Sequence, residues 1–296
     1  MYRNALFFIT GFLLVCPLLK SQDLLDMLDE EDSNKKEYVT GTFKATRLVN
    51  GQTVETTGKN ELVFVISHRF EKIDRGFYDL FGLDNSTIRF ELEYGLTDKI
   101  DIAMGRSNYQ KLYDGHIKYK FIEQATGPAS SPVTVSFFSS MAIKTEEWTD
   151  DTKSYKAVHR FYYVHELLIA RKFSPSLSVQ LIPAVVHRNL VKTTEDQNTV
   201  PLIGIGGRFK LTKRLSVNTE YYYIVPGKTA DDFSNALSLG FDIETGGHVF
   251  QLMFTNSRGI YEKNFLTETT GKWTDADIYF GFNIARYFSV KNKITK

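Results

Sequence analysis

The residues best suited to chemistry in this sequence are histidines, because an imidazole acts as a base or binds a metal near neutral pH. One of them directly follows a serine, as Ser67-His68. Adjacent side chains on a strand point to opposite faces, so this pair cannot act as a nucleophile with its base. The histidines fit no lipase or protease motif, and the sequence predicts no catalytic residue. They are His68, His116, His159, His165, His187 and His248.

A second candidate lies on the two segments that flank Ser174, whose pattern predicts a hairpin. Pairing about that turn places His187 diagonal to His159 on one face, where two imidazoles would suit a metal. A third ligand is not evident, so the sequence predicts no metal site and no cofactor. The same register sets Arg160 opposite Arg188, a repulsive pair that needs an acidic partner or an anion.

The run Gly204-Ile205-Gly206-Gly207 has the glycine content of a phosphate-binding loop. Such a loop joins a strand to a helix, whereas these glycines interrupt a strand pattern with no helical pattern after it. We interpret them as small residues that face a crowded interior.

The composition of the 296-residue chain excludes several classes of protein. The 36 basic and 35 acidic residues leave a net charge of +1, without the basic excess of a nucleic-acid-binding protein. A hydrophobic content of 42% is too high for a disordered chain. After the first 19 residues, no uncharged apolar run reaches the ~18–20 residues of a spanning helix, which excludes a polytopic helical membrane protein.

Residues 1–22 have the pattern of a secretory signal peptide. Arg3 provides a positive start, and an apolar run follows it to Leu19. A retained anchor and a lipoprotein site at Cys16 are the alternatives. Removal of the segment takes away Arg3 and Lys20, so the mature chain has a charge of +1 − 2 = −1 and no cysteine.

From Glu61 onward the dominant period is two, which indicates strands with one apolar and one polar face. In the clearest example, Ile88 and Phe90 alternate with Arg89 and Glu91. The pattern predicts twelve strands, at 61–70, 86–95, 99–107, 114–122, 132–143, 158–172, 176–189, 199–211, 214–225, 236–244, 248–257 and 276–288.

Long and short connections alternate between these strands, apart from two in the middle. Three short turns, at 96–100, 173–177 and 211–215, share one template: an apolar residue, a hydroxyl residue, two turn residues and another apolar residue. This sorting of the connections predicts a transmembrane antiparallel up-and-down β-barrel of about twelve strands in the outer membrane, with short periplasmic turns.

A twelve-strand barrel is too wide for its own side chains to fill, since about eight strands make a solid core. We therefore expect the apolar face to meet lipid and the charged face to line a polar lumen. Aromatic clusters at 161–163, 221–223 and 287–288 would form interfacial girdles, with ordinary strand propensity as the alternative. The lumen-lining candidates are Arg69, Arg89, Glu91, Glu93, Lys118, Lys120, Arg160, Glu166, Arg188, Arg208, Lys210, Glu220 and Asp242.

The leader before the barrel, residues 23–60, is predicted to stay on the periplasmic side. It either hangs free or enters the mouth of the lumen as a partial plug. Its strand-like piece, 41–48, is followed by the turn signal Asn50-Gly51. A thirteenth wall strand is disfavoured, because bacterial barrels have even strand numbers. The predicted divisions are the signal peptide 1–22, the leader 23–60, the barrel 61–288 and a polar tail 289–296.

Several short motifs resemble one uncharacterised family of Bacteroidota β-barrel proteins. The motifs are Asp23-Leu24-Leu25, Thr42-Phe43-Lys44-Ala45-Thr46-Arg47, Ser67-His68-Arg69-Phe70 and Gly95-Leu96-Thr97-Asp98. The resemblance would cover nearly the whole mature chain and implies an outer-membrane barrel in a Bacteroidota cell. It implies no activity and no catalytic residue.

These features favour a pore or transport protein for small polar solutes, not an enzyme, that contacts outer-membrane lipid. The alternative is a non-conducting scaffold that docks a periplasmic or surface partner through residues 23–60 and the loops at 71–85 and 258–275. A barrel hydrolase is the third and least favoured hypothesis. The sequence does not identify a solute, a partner or an oligomeric state.

Overall fold

The computed structural model describes residues 35–148 and 154–290, in which twelve strands form one closed antiparallel barrel. Each strand pairs with its neighbours along the chain, and the last strand closes the ring on the first. The predicted signal peptide lies outside the described residues, as does the end of the predicted tail. The strands are β1 (Glu61–Lys72), β2 (Ser86–Thr97), β3 (Ile100–Ser107), β4 (Leu112–Ile122), β5 (Thr134–Lys144), β6 (Phe161–Lys172), β7 (Leu177–Arg188), β8 (Thr199–Lys210), β9 (Leu215–Ile224), β10 (Ala236–Thr245), β11 (His248–Thr255) and β12 (Tyr279–Ser289).

The predicted all-β barrel of twelve strands is confirmed, with every strand end within three residues of its predicted position. Within the described ranges, the strand-like piece at 41–48 does not join the wall. None of the helices in these ranges combines the length and the apolar character needed to cross a membrane.

The three turns that share a sequence template also share one hydrogen-bond pattern. The hydroxyl of Thr97 accepts hydrogen bonds from the backbone N–H groups of Lys99 and Ile100, at 3.1 and 3.0 Å. Ser174 and Thr212 accept the equivalent pair of bonds in their own turns. Because the hydroxyl stabilises a tight reversal, the same residue type recurs at the same position. These turns lie at one end of the barrel, the turn end, and the opposite end is the loop end.

The hairpin of β6 and β7 is paired in a different register from the predicted one. Tyr162 lies opposite Arg188, because the N–H of Phe173 closes the turn on the carbonyl of Leu177. The predicted opposition of Arg160 and Arg188 is therefore wrong. Arg160 instead ends a short 3₁₀ turn just before β6.

The outward face of the strands is largely apolar, with aromatic rings packed together on neighbouring strands. The rings of Phe70 and Phe280 are 5.8 Å apart, and Phe254 lies 5.5 Å from Phe280. Tyr162 and Tyr222 point inward and are buried. Tyr287 also lies on the inward face, where it packs against the cluster that contains Val65 and Ala285. Each of the three predicted aromatic girdles therefore holds an inward ring, because successive side chains of a strand alternate between faces.

The inward face differs from one side of the barrel to the other, so these strands do not build the uniformly polar lumen expected from the sequence. On β1–β4 the buried inward side chains are mostly charged, and we call them the charged sector. It consists of Arg69, Arg89, Glu91, Glu93, Asp101, Asp114, His116 and Lys118. On β5–β8 they are mostly apolar, and we call them the apolar sector. It consists of Phe138, Ala142, Tyr162, Val164, Leu168, Ala170, Ile182, Ala184, Val186 and Leu202.

Two stretches of the chain fill the space inside the ring. Residues 42–57, the plug hairpin, enter from the turn end. Helix α1 (Glu262–Thr267) and its flanks at 259–269, the plug loop, enter from the loop end. Residues 45–54 and every residue of α1 are buried. The interior that the strands enclose is thus occupied by the protein's own chain.

Gly204 and Gly206 on β8 face this crowded interior, as we interpreted them from the sequence. A Cβ on Gly204 would lie 2.6 Å from the ring of Tyr222, and one on Gly206 would overlap Leu48 of the plug hairpin. Gly207 points the other way, and a Cβ there would have the Ser178 carbonyl oxygen as its nearest neighbour, at 3.7 Å.

We expect Gly206→Val to loosen the plug hairpin while the barrel still closes. The added side chain occupies the space of Leu48, and overpacking of this kind costs about 1–3 kcal/mol. Trypsin should then cleave after Arg47, a site protected in the wild type, in protein that keeps its heat-modifiable gel migration. Gly207→Val is the matched control and should stay protected. Equal cleavage of both variants would contradict the packing of Leu48 against β8.

Candidate functional site

The plug hairpin reverses direction at Asn50-Gly51, the turn signal in its sequence. A hydrogen bond of 2.8 Å from the Leu48 N–H to the Gly51 carbonyl closes the reversal. Gly51 packs so tightly against β9 that a Cβ there would overlap the hydroxyl of Tyr222. The glycine is therefore needed for close approach to the wall.

The barrel wall supplies partners for the polar groups at the tip of this hairpin. Glu220 of β9 accepts hydrogen bonds from the N–H groups of Asn50 and Gly51, at 2.7 and 3.1 Å. The side chain of Asn50 donates to Ser238 and accepts from Arg69, both at 2.8 Å. Buried backbone and amide groups without partners are costly, so these wall residues allow the tip to lie inside the barrel.

Arg47 joins the two plugs to each other and to the wall. Its guanidinium donates to Glu91 of β2 through Nε and Nη2, at 3.1 and 3.0 Å. Its Nη1 donates to Glu262 of α1 at 2.9 Å, and Gln52 donates to the same carboxylate oxygen at 3.0 Å. Burial by itself would raise the pKa of Glu262, but attraction to Arg47 and Arg89 outweighs it and lowers that pKa. Glu262 is therefore an ionised partner of Arg47.

Part of the charged sector is also paired within itself. Arg89 forms ion pairs with Glu91 on its own strand and with Asp114 on β4. The imidazole of His116 lies between Glu91 and Asp101, 3.8 and 3.7 Å from their carboxylate oxygens. Because a buried charge is tolerated only beside an opposite one, this alternation lets the wall carry charges away from water.

The apolar sector is covered by residues from both plugs. Phe265 packs against Tyr222 with ring centres 5.5 Å apart, and the hydroxyls of Tyr261 and Ser140 are 3.0 Å apart. Each fully buried aliphatic or aromatic side chain contributes roughly 1.5–3 kcal/mol. The plugs are thus held by apolar contact on one side and by ion pairs on the other. The covering residues are Phe43, Leu48, Val49, Val54, Tyr261, Phe265 and Leu266.

At the loop end, a second ion-paired cluster holds α1. Lys263 donates to Glu268 at 2.7 Å and to Gln110 at 2.9 Å. Burial alone would raise the pKa of Glu268, but the ammonium of Lys263 outweighs it and lowers that pKa to about 2. Arg188 is paired with Asp196 at 3.2 Å and lies 3.9 Å from Glu268. Carboxylates therefore surround Arg188, in place of the Arg160 expected from the sequence.

Ten of the thirteen predicted lumen-lining residues are buried, and three are partly exposed. Among the ten buried residues, Glu166 has the fewest hydrogen bonds. Within the described chain, neither of its carboxylate oxygens has a hydrogen-bond partner. The partly exposed residues are Lys120, Arg160 and Lys210. The buried ones are Arg69, Arg89, Glu91, Glu93, Lys118, Glu166, Arg188, Arg208, Glu220 and Asp242.

No pattern in the sequence identifies the plug residues that make these contacts. Arg47 lies in the leader, and Glu262 and Lys263 lie in a long connection, where no alternation marks a residue as buried. A charged residue in such a segment is ordinarily solvated. Asn50-Gly51 was the one sequence feature that pointed to the plug hairpin. It predicted a turn, but it did not predict that the turn lies inside the barrel.

On the outward face, Ser139 of β5 and His165 of β6 are direct cross-strand partners, with Oγ and Nδ1 3.0 Å apart. Their backbone groups belong to the strand ladder, which leaves no N–H group of these strands free to stabilise an oxyanion. In the described part of the chain, no carboxylate forms an ion pair with His165, and no group of three or more His, Cys, Asp or Glu is placed to hold a metal ion.

The sequence matches the family model described as "Membrane bound beta barrel domain (DUF5777)" over residues 43–288. The chain belongs to this family. The matched range includes most of the plug hairpin together with the barrel up to the last residues of β12. The protein is therefore an outer-membrane β-barrel, as the alternation and the connections predicted.

Solved structures of outer-membrane barrels are similar to this one in fold. The KdgM porin is 7% identical with a TM-score of 0.47, and the match covers 77% of this chain and 98% of that chain. The COG4313 outer membrane channel from Pseudomonas putida F1 is 12% identical with a TM-score of 0.47, covering 79% and 98%. Outer membrane phospholipase A from Escherichia coli is 9% identical with a TM-score of 0.41, covering 76% and 92%. No curated protein matches the sequence.

We expect Arg47→Leu to destabilise the barrel by about 3–5 kcal/mol, because Glu262 is left buried without its cation. Glu262→Leu should cost less, since Arg47 keeps Glu91. The double variant should be less destabilised than the sum of the two single variants, because no lone charge is left at the joint. Urea unfolding in detergent micelles measures all three. Strictly additive losses would show that the two plugs are not joined through this pair.

Proposed function

We propose that this outer-membrane barrel is closed by its own chain and works at its two ends as a scaffold, not as an open pore. The observation that carries the proposal is the burial of both plugs: residues 45–54 and all of α1 lie buried within the ring. A pore that conducts at rest keeps its inner side chains in contact with water. We also propose, from the sequence motifs, that the protein comes from a Bacteroidota cell.

Opening the lumen would be costly on both sides of the plug hairpin. On the apolar side, withdrawal would expose Leu48 and Val54 together with the wall they cover, at roughly 1.5–3 kcal/mol per fully buried side chain. On the charged side, it would separate Arg47 from Glu91 and Glu262. Both costs favour a hairpin that stays in place.

At the turn end, the chain that leads into the plug hairpin is attached to the barrel rim. Glu37 and Tyr38 pair with residues 125–126 in the connection between β4 and β5. Within the predicted docking segment 23–60, residues 42–57 lie inside the barrel, where they cannot contact a periplasmic partner. We therefore assign periplasmic docking to residues 35–41 and the connection at 123–133.

At the loop end, the connection between β1 and β2 is the surface best suited to a partner. Phe77 and Tyr78 are 85% and 80% exposed, values that are unusual for aromatic side chains outside lipid. Most of the other predicted docking loop, 258–275, is buried in the lumen. Surface docking is therefore assigned to residues 73–85.

Planar bilayer recordings test the closed state. We expect the full-length protein to be silent, and a variant that lacks residues 42–57 to conduct, because water would then reach the charged sector. The deletion variant also shows that reconstitution succeeds. Regular conductance steps from the wild-type protein would contradict the scaffold proposal.

A gated pore for polar solutes is the second candidate. The charged sector favours it, since these wall residues would line a polar passage if the plug hairpin withdrew. The pair Leu48→Cys with Gly206→Cys tests it, because these positions are in contact and the mature chain has no cysteine. Conductance at high voltage that appears only after reduction of the disulfide would support gating. Silence in both states would support the scaffold.

We propose no enzymatic activity. The arrangement nearest to a catalytic site, Ser139 with His165, lies on the outward face and has no described acid to orient the imidazole.

A further inference from the structure

We propose that the loop end of the barrel holds a binding site for a small anion that carries a phosphate or a carboxylate group. The site is a cavity of about 400 Å³ near the plug loop, a volume typical of small-molecule sites. Residues from five places in the chain converge on it: the start of β2, the β3–β4 turn, the end of β5, and the connections after β7 and β11. The inference goes beyond the scaffold proposal, because it concerns the loop end alone and holds for an open or a closed lumen.

The charges that line the cavity are mainly positive. Lys144, Lys192 and Arg258 contribute three cations, against the single carboxylate of Glu146. Lys144 pairs with Glu146 at 2.8 Å, and Arg258 pairs with Glu71 at 2.5 Å. Lys192 is exposed and forms no ion pair among the described residues. Within the described ranges, the cavity thus has one cation outside any ion pair, flanked by two others that an anion can recruit.

Neutral donors lie beside these cations. Ser86, Asn108 and Tyr109 line the same cavity and carry a hydroxyl, an amide and a phenol. The hydroxyl of Thr87, which also belongs to the lining, donates to the Arg258 carbonyl at 3.1 Å. Hydroxyl and amide groups next to a cation are the partners that oxyanions bind in proteins. A purely apolar ligand would remove the Ser86 hydroxyl and the Tyr109 phenol from water without giving them partners, so the lining favours a polar, charged ligand.

The floor of the cavity is held in place by the plug loop. Gln110 has a φ of 55°, a left-handed backbone that residues other than glycine rarely adopt. Its side chain is fixed by Lys263, which donates to it at 2.9 Å, and by Glu268, which accepts from it at 3.2 Å. A rigid floor lowers the cost of ordering the site when a ligand binds.

Calorimetric titration of the full-length protein in detergent micelles tests the proposal. The probes are inorganic phosphate, glucose 6-phosphate and glucose, with sodium chloride at matched ionic strength as the background. We expect saturable binding of phosphate and of glucose 6-phosphate but not of glucose. Lys192→Gln should weaken the binding of both anions about tenfold, through loss of a charge-assisted contact, and Lys192→Arg should restore it.

The matched control is Lys213→Gln, which removes an exposed lysine at the turn end and should leave binding unchanged. Both variants alter exposed side chains, and their heat-modifiable migration confirms that the barrel is folded. The proposal is overturned if phosphate gives no more heat than chloride, if glucose binds as well as glucose 6-phosphate, or if the two glutamine variants weaken binding equally.

Discussion

Arg47 carries a permanent positive charge into the interior of the barrel, where it is 3% exposed and water cannot solvate it. The charge is tolerated because Glu91 comes from the wall and Glu262 comes from the plug loop. One guanidinium therefore connects the three parts of the molecule: the wall, the segment that enters from the turn end and the segment that enters from the loop end. The two segments also meet directly beside this joint, where Gln52 of the plug hairpin donates to the same carboxylate oxygen of Glu262.

A ring of twelve strands encloses more space than its own side chains can fill, and the protein fills it with other parts of its chain. The two sectors of the wall hold these parts in different ways. The apolar sector provides contact that depends little on direction, through residues such as Val164 and Ile182. The charged sector and Glu220 provide directional bonds, which fix the height and the orientation of the hairpin. Together they favour one position of the plug over the many that apolar contact alone would allow.

A filled interior leaves the two ends as the surfaces on which this barrel meets other molecules. The two ends are built differently. At the turn end, hydroxyl-capped reversals such as the one at Thr97 keep most connections short, and a short strand pair at Glu37–Tyr38 attaches the chain to the rim. At the loop end, the connections are longer, with exposed aromatic rings at Phe77 and Tyr78 and a cavity lined by cations.

The sequence by itself determined the wall. Alternation of period two has a single structural cause, so it located all twelve strands, and the hydroxyl template located three of the turns that join them. Gly204 and Gly206 were correctly interpreted for the same reason, because their place in a strand pattern requires them to face the interior. Alternation also identified residues such as Glu91 as inward-facing.

Only the tertiary structure decided what those inward residues face. Arg47 and Glu262 are 215 residues apart, and each lies in a segment without periodicity, so nothing local distinguishes them from solvated charges. The apolar sector was missed for a related reason: Val164 and Ile182 are compatible with lipid or with a buried interior, and the choice depends on a covering segment that is distant in the chain. The alternation of residues along a strand predicts which face of the strand each residue occupies. The environment of that face depends on contacts between distant parts of the sequence.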